Sequence, residues 1–230
     1  MSYGLQIQGD DGYNQIDEKY ANLAFVGKAT VTCTGNFNSY TQTTFYGGYA
    51  TVTSLAGSFN KPFVFINPGN TYAIVESVVV NSDGTLGVGI ASVGNDTFTI
   101  FVFDTPLSDS NPYGLQIFDA NGNMTFSSNY RPMRIANVVQ SQNSSLLSVY
   151  NGMNVGLATG TYAFCNDYYK TDSKMGQNGS TTFTIRYSEM AKITNTNISS
   201  SYGPVDWIPA SSRTSQATGP HYMIVKVDGL

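Results

Sequence analysis

The segment Tyr3-Gly4-Leu5-Gln6-Ile7 recurs unchanged as Tyr113-Gly114-Leu115-Gln116-Ile117, 110 positions later. The frame then holds without a gap: Gly12 falls on Gly122, Ile16 on Phe126, Tyr20 on Tyr130, Leu23 on Met133 and Phe25 on Ile135. A repeat in a fixed frame asks each copy to form the same local structure, so it limits the fold more than any single motif does. In both copies apolar and polar residues alternate as in a strand. Asp11-Gly12 in the first copy and Asn121-Gly122 in the second are dipeptides preferred by a two-residue hairpin. Each copy is therefore expected to open with a hairpin or β corner.

Further strands are predicted from β-branched and aromatic runs at 23–26, 29–33, 43–53, 62–66, 72–80, 86–91 and 97–103. The second half offers 133–139, 145–150, 154–157, 160–165, 181–187, 191–194 and 222–227. Turn signals such as Asn67-Pro68-Gly69-Asn70 and Asp83-Gly84 separate them. Room for a helix is limited to a single turn at 188–193. A second echo, Thr97-Phe98-Thr99-Ile100 against Thr182-Phe183-Thr184-Ile185, points to duplication of a whole unit. The predicted architecture is all-β: two tandem, related β-sandwich domains, Ig-like or jelly-roll-like, from an internal duplication. The first spans 1–108 and the second 109–230, with a C-terminal extension from about Ala191. The polar stretch 105–112, with Pro106 and Pro112, marks the boundary.

Composition narrows the function. Charged residues make up 11% of the chain and aromatic residues 13%, against about a quarter charged in an average globular protein. The remainder is rich in Gly, Asn, Ser and Thr, a surface suited to packing against copies of itself or against other shells. A net charge of −4 without a cluster of Lys or Arg gives no electrostatic footprint for nucleic acid. No stretch approaches the ~20 apolar residues of a membrane span, and the start, Met1-Ser2-Tyr3-Gly4, does not read as a signal peptide. Synthesis in a cytoplasm is the expectation. The Asn-x-Ser/Thr sequons at Asn95, Asn123, Asn143, Asn178 and Asn197 then carry little weight.

No catalytic signature emerges. His221, the single histidine, has no Gly-x-Ser-x-Gly elbow to serve, and with Cys33 and Cys165 far apart it cannot build a usual zinc site. The two cysteines occupy non-equivalent positions of the repeat and are expected as packed thiols, with no disulfide implied. Asp119-Ala120-Asn121-Gly122-Asn123 begins like a calcium loop. Its sixth and twelfth positions, however, hold Met124 and Tyr130 where Gly and a bidentate Glu are required, so a hairpin turn is the better reading. The carboxylate pairs Asp10-Asp11 and Asp17-Glu18 become Ala120-Asn121 and Ser127-Ser128 in the repeat, which favours surface roles over glycosidase chemistry. No cofactor and no metal are expected.

The tyrosines are the better candidates. Tyr40, Tyr46, Tyr49, Tyr168, Tyr169 and Tyr202, set among Asn, Gln, Ser, Thr and Gly, have the character of a rigid contact surface, of an aromatic platform for a saccharide or of a sandwich core. Trp207, between Pro204 and Pro209, is the candidate anchor at a subunit contact.

The run from Tyr113 to Asn123, followed by Phe126-Ser127-Ser128-Asn129-Tyr130-Arg131 and the apolar strand through Ile135, resembles the opening of a family of small tailed-bacteriophage virion proteins. That family opens with a Tyr-Gly-Leu-Gln-Val/Ile-Phe-Asn/Asp segment, an Asp/Asn-Gly turn and a later transition to Arg. The match covers about 25 residues and brings no catalytic residue. It implies a non-enzymatic virion structural protein near the tail or tail tip, assembled in the host cytoplasm as a homo-oligomer with other virion proteins. A tail protein binding a host-surface glycan or pilus is the first alternative, and capsid decoration the second.

Overall fold

A computed structural model describes residues 6–8, 14–17, 22–53, 57–105, 109–111, 113–141, 153–166, 171–209 and 221–230. Among them every regular element is a strand. The first half supplies β1 (Gln6–Gln8), β2 (Asn14–Asp17), β3 (Ala24–Thr32), β4 (Thr34–Asn38), β5 (Thr43–Val52), β6 (Phe63–Asn67), β7 (Ala73–Val80), β8 (Leu86–Ser92) and β9 (Thr97–Asp104). The second supplies β10 (Gln116–Phe118), β11 (Met124–Ser127), β12 (Ile135–Gln140), β13 (Asn154–Gly156), β14 (Tyr162–Asn166), β15 (Thr171–Asn178), β16 (Thr181–Ile193), β17 (Asn197–Pro209) and β18 (His221–Lys226).

Beside the small hairpins β1–β2 and β10–β11 stand two larger antiparallel sheets. One is ordered β12-β18-β14-β6-β9-β3; the other runs β13-β17-β16-β7-β8-β5-β4, with β15 added to β16. Period-two alternation explains how they face each other. On β9, Phe98, Ile100 and Val102 point into the main core while Phe101 and Phe103 point the other way; on β8, Leu86, Val88 and Ile90 meet them from the opposite sheet. The result is β-sandwich-like, and neither large sheet closes on itself.

The all-β expectation therefore holds, but the division at 108/109 does not separate two sandwiches. Each sheet takes strands from both halves, joined through Phe164↔Ile66 in one sheet and Ala191↔Ala73 in the other. The core is likewise shared, with Val26, Ile66 and Ile100 packed in one cluster with Phe164, Ile198 and Ile224. The three or four strands that one half gives to each sheet leave a bare edge and an open core face, and the other half covers both.

About that central junction the six-stranded order reads as a palindrome, and so does the eight-stranded one once β4 and β15 are set aside. β3, β9 and β6 are answered by β12, β18 and β14, and β5, β8 and β7 by β13, β17 and β16. The registers agree in detail. The irregularity between Phe25 and Gly27 on β3 reappears between Ile135 and Asn137 on β12, again 110 positions on. The hairpins match too: Ile7↔Ile16 and Ile117↔Phe126 occupy the same frame, each followed by the same register shift. The second echo fails structurally, because Thr97 to Ile100 lie in the six-stranded sheet and Thr182 to Ile185 in the other. Thr-Phe-Thr-Ile is generic strand alternation, and it carries no information about the partner.

Strands β4, β15 and most of β17 were not anticipated, and 188–193 lies inside β16. The predicted strand at 145–150 and the turn at Asp11-Gly12 fall outside the described residues. β15 and the adjoining ends of β16 and β17 form an arm across the outer face of the eight-stranded sheet. Val205 and Met190 pack with Ile74 and Ala91, and the Phe183 ring meets Tyr40 edge-on at 5.6 Å. The C-terminal extension expected from about Ala191 is not an addition to the second half: the residues beyond it form β17 and β18, which take the places in the two large sheets that β8 and β9 take in the first half.

On the outer face of the six-stranded sheet a second apolar cluster, with Phe65, Phe101, Phe103 and Val225 at its centre, lies under Leu23 and Met133. The two segments that follow the hairpins meet there: Met133 N donates to Leu23 O at 2.7 Å, and Ala24 bridges Pro132.

Candidate functional site

Hairpin β10–β11 contains the repeated motif, and its polar residues each hold part of its shape. Gly114 has φ +112°, and a Cβ there would stand 2.6 Å from Ser128 Oγ, which instead accepts from Leu115 N at 2.9 Å. Asp119 Oδ1 accepts from Asn121 N and Asn123 N, both at 2.8 Å, and Asn123 Nδ2 donates to Oδ2. The carboxylate thus organises the turn internally, as the hairpin reading expects. The loop is wider than the two-residue type I′ turn: Asp119 N donates to Asn123 O, and only Gly122 has positive φ, at +82°. A type I′ turn needs positive φ at both central residues.

Asp109 braces the base. Its carboxylate accepts from Ser127 Oγ, from Asn129 Nδ2 at 2.8 Å and from Asn111 N at 3.0 Å. These donors, Ser127 first, lower its pKa from the ordinary carboxylate value to about 2. Tyr130 is raised by burial and, secondarily, by the Asp109 charge. Ile117, Met124 and Thr125 are buried, and Asn22 N donates to Thr125 O, fixing the hairpin to the segment that opens β3. Three apolar side chains stand outward among exposed polar ones such as Asn121, Asn123 and Asn129: Tyr113 is 80% exposed, Phe118 48% and Leu115 44%.

Two clefts flank the central junction. Because β14 and β6 share one ladder pair, they separate beyond it, and β7 of the other sheet floors the gap. The first cleft, about 480 Å³, is walled by Phe63, Val64, Val78, Val138 and Met223, with Glu76, Cys165 and His221 also contributing. Glu76 lies 3.7 Å from Arg186, which pairs with Asp206 at 2.7 Å. Burial raises the Glu76 pKa, and Arg186 offsets part of that rise. The second cleft, about 420 Å³, lies at the other end and is polar, lined by Asn67, Asn70, Thr194, Asn195 and Thr196 beside Tyr162.

The candidate tyrosines do not form one surface. Tyr40, with Asn178 Nδ2 donating to its carbonyl at 2.9 Å, receives the arm. Tyr46 packs against the main core. Tyr49 is exposed, and its ring lies on Gly87, where the hydroxyl occupies the place of a Cβ. Tyr202 is half-buried on β17 opposite Glu189, and Trp207 pairs through its backbone with Ile185. Tyr168 and Tyr169 lie outside the described residues. Cys33 is buried, with its pKa raised chiefly by desolvation, as a packed thiol should be. Among the described residues no group of three or more His, Cys, Asp or Glu could hold a metal, and no helix is long and apolar enough to cross a membrane.

Tyr113, Leu115 and Phe118 were not singled out from the sequence as contact residues; alternation marks Phe118, next to buried Ile117, as outward, but gives no signal for Tyr113 and Leu115, which precede β10. The cleft residues gave none, being scattered from 62 to 223. No family model, curated protein or solved structure matches the chain.

Proposed function

We propose that the chain is a non-enzymatic structural component of a tailed-phage virion, at the tail or tail tip, and that it assembles through hairpins and loops rather than acting through a catalytic centre. The observation that carries this reading is the β10–β11 hairpin. The residues of the virion-protein resemblance fall on it, Gly114, Asp119, Ser127 and Asn129 serve its rigidity, and Tyr113, Leu115 and Phe118 are left facing solvent. A rigid hairpin with three exposed apolar side chains among polar ones suits a contact between protein shells, where little conformational entropy remains to be lost.

In the same reading the two halves are copies from an internal duplication, now merged into one sandwich. The palindromic strand orders and the hairpins in common register support this. One chain then presents two related hairpins to its neighbours.

Labelling of intact particles from the source of the gene, by gold-tagged antibody or by cryo-EM, tests the proposal. Density at the distal tail is the expected result. Label over the head moves the protein to capsid decoration, and absence from particles refutes a virion role. The polar second cleft favours one alternative, recognition of a host glycan, since its amide and hydroxyl groups beside a tyrosine suit a saccharide. A glycan array on the purified protein checks it.

A further inference from the structure

We infer that the seam between the two halves is an interface that a second copy of this chain fills, so that two chains refolded together exchange halves and close as a reciprocal dimer. This rests on the duplication reading above and is independent of a virion role.

A two-fold axis runs through the seam. Leu23 and Met133 share one place in the repeat frame, and they meet each other: Met133 N donates to Leu23 O at 2.7 Å, with Phe25 N donating to Arg131 O at 2.8 Å beside it in an antiparallel crossing. Equivalent residues meet in this way where a two-fold axis passes between them. The six-stranded sheet places the axis independently. Its matched register shifts align Phe103 with Val225, so their ladder partners Phe63 and Ala163 are equivalent, and two residues on, so are Phe65 and Cys165. Across the seam the antiparallel register of Ile66↔Phe164, carried one residue on, sets Phe65 against Cys165. Leu23, Met133, Phe65 and Cys165 all belong to one apolar cluster. The seam therefore has the geometry of an isologous dimer interface held within one chain.

Each half keeps its own ladders: β6 and β3 flank β9 while β7 and β5 flank β8, and β14 and β12 flank β18 while β16 and β13 flank β17. What the halves give each other is a core face and a strand edge, and neither depends on which chain carries it. The covalent connection is anchored at both ends. The Asp104 carboxylate accepts from Asn60 N at 2.7 Å and Lys61 N at 2.8 Å in the first half, and the Asp109 carboxylate accepts from Asn129 Nδ2 at 2.8 Å in the second. Only residues 105–108 lie between them. A short hinge between fixed ends invites exchange, because a second copy restores every contact that opening breaks.

The axis also decides which half fits. Phe65 opposite Cys165 sets a large side chain against a small one. Two first halves would bring two phenyl rings to one place, and two second halves would leave a gap there. The partner is thus the opposite half of another copy, which makes the exchange reciprocal and closes it at two chains.

The experiment refolds full-length chains over a concentration series and reads their size by sedimentation velocity. Wild type is expected to be monomeric at high dilution, with a dimer share that rises with the concentration of refolding. In a Cys165→Ala background, which removes the native thiol of that cluster, Leu23→Cys and Met133→Cys are made singly and together. The double variant, refolded at high dilution, is expected to close its disulfide within one monomer. The two single variants, refolded together at high concentration, are expected to give a disulfide-linked dimer on a non-reducing gel. The linked species is at most half of the dimer, because only mixed pairs bring both thiols to one seam.

Wild type that stays monomeric at every concentration overturns the exchange. Dimers of the mixed variants that never acquire the disulfide overturn it too, and show that copies associate through another surface. A folded double variant whose bond stays open overturns the two-fold placing itself, and with it the duplication reading at the seam. Absence from particles is a separate result and refutes the virion role alone.

Discussion

Phe164 and Ile66 form the single ladder pair that joins the two halves in the six-stranded sheet, and both side chains are fully buried in the main core. One large residue from each half therefore closes the seam. Phe164→Ala is expected to cost about 3–5 kcal/mol, the usual range for emptying an aromatic core site. Because the core is common to both halves, the loss should appear as one shifted transition in chemical denaturation, with amides of β9 and β18 losing protection together. Two separate transitions would show that the halves fold independently.

The repeated glycines are not interchangeable. Gly122→Ala, at φ +82° with no atom within 4 Å of the new Cβ, is expected to cost roughly 1–2 kcal/mol for the left-handed backbone alone. Gly114→Ala also drives the methyl into Ser128 Oγ and disturbs the hydrogen bond from Leu115 N, adding about 1 kcal/mol. Thermal denaturation should rank them in that order. Equal costs would mean that the contact with Ser128 is readily relaxed.

Asp109 sets a lower pH limit for the hairpin. Its pKa is depressed in the folded chain to about 2, so its contribution is fully present above the ordinary carboxylate value and disappears as pH falls through that value towards 2. In an NMR titration, the Asp109 carboxyl and the Asn129 side-chain amide should shift with one midpoint near 2. A midpoint at the ordinary value would show that the bonds to Ser127 and Asn129 are not held in solution.

Glu76 has the opposite sign. Burial raises its pKa, so the folded chain keeps that proton longer than the unfolded chain, and its contribution to stability falls as pH rises from the ordinary value through the raised one. Glu76→Gln should therefore leave stability at neutral pH unchanged or higher, because the exposed ion pair with Arg186 at 3.7 Å returns little. Arg186→Met should raise the Glu76 pKa further. Marked destabilisation by Glu76→Gln would show that the ion pair outweighs burial.

Strand positions were largely legible in the sequence, because β-branched alternation and Gly or Asn turns are local signals. β5, β8 and β9 lie within a residue of the runs that predict them. Partner choice was not legible. Nothing near Ile66 says that its neighbour is Phe164, and the match of Thr97 to Ile100 with Thr182 to Ile185 suggested an equivalence that the sheets deny. β15, with the sequence Thr-Asp-Ser-Lys-Met-Gly-Gln-Asn, lacks alternation and is a strand because β16 offers it a full ladder. The hairpin, by contrast, could be located from its motif, since its shape depends on residues within about 20 positions of one another.

The seam at Ile66 and Phe164 also governs how the chain can be made. When the ribosome has released the first half, β6 and β7 are complete but their outer edges and half of the core wait for residues far downstream, and β18 is among the last to emerge. Until then a nascent chain presents bare strand edges and exposed Val, Ile and Phe to every other nascent chain nearby. Yield then depends on how quickly synthesis reaches residue 226, and synonymous codons that slow translation after β9 should raise the aggregated fraction without changing a single side chain.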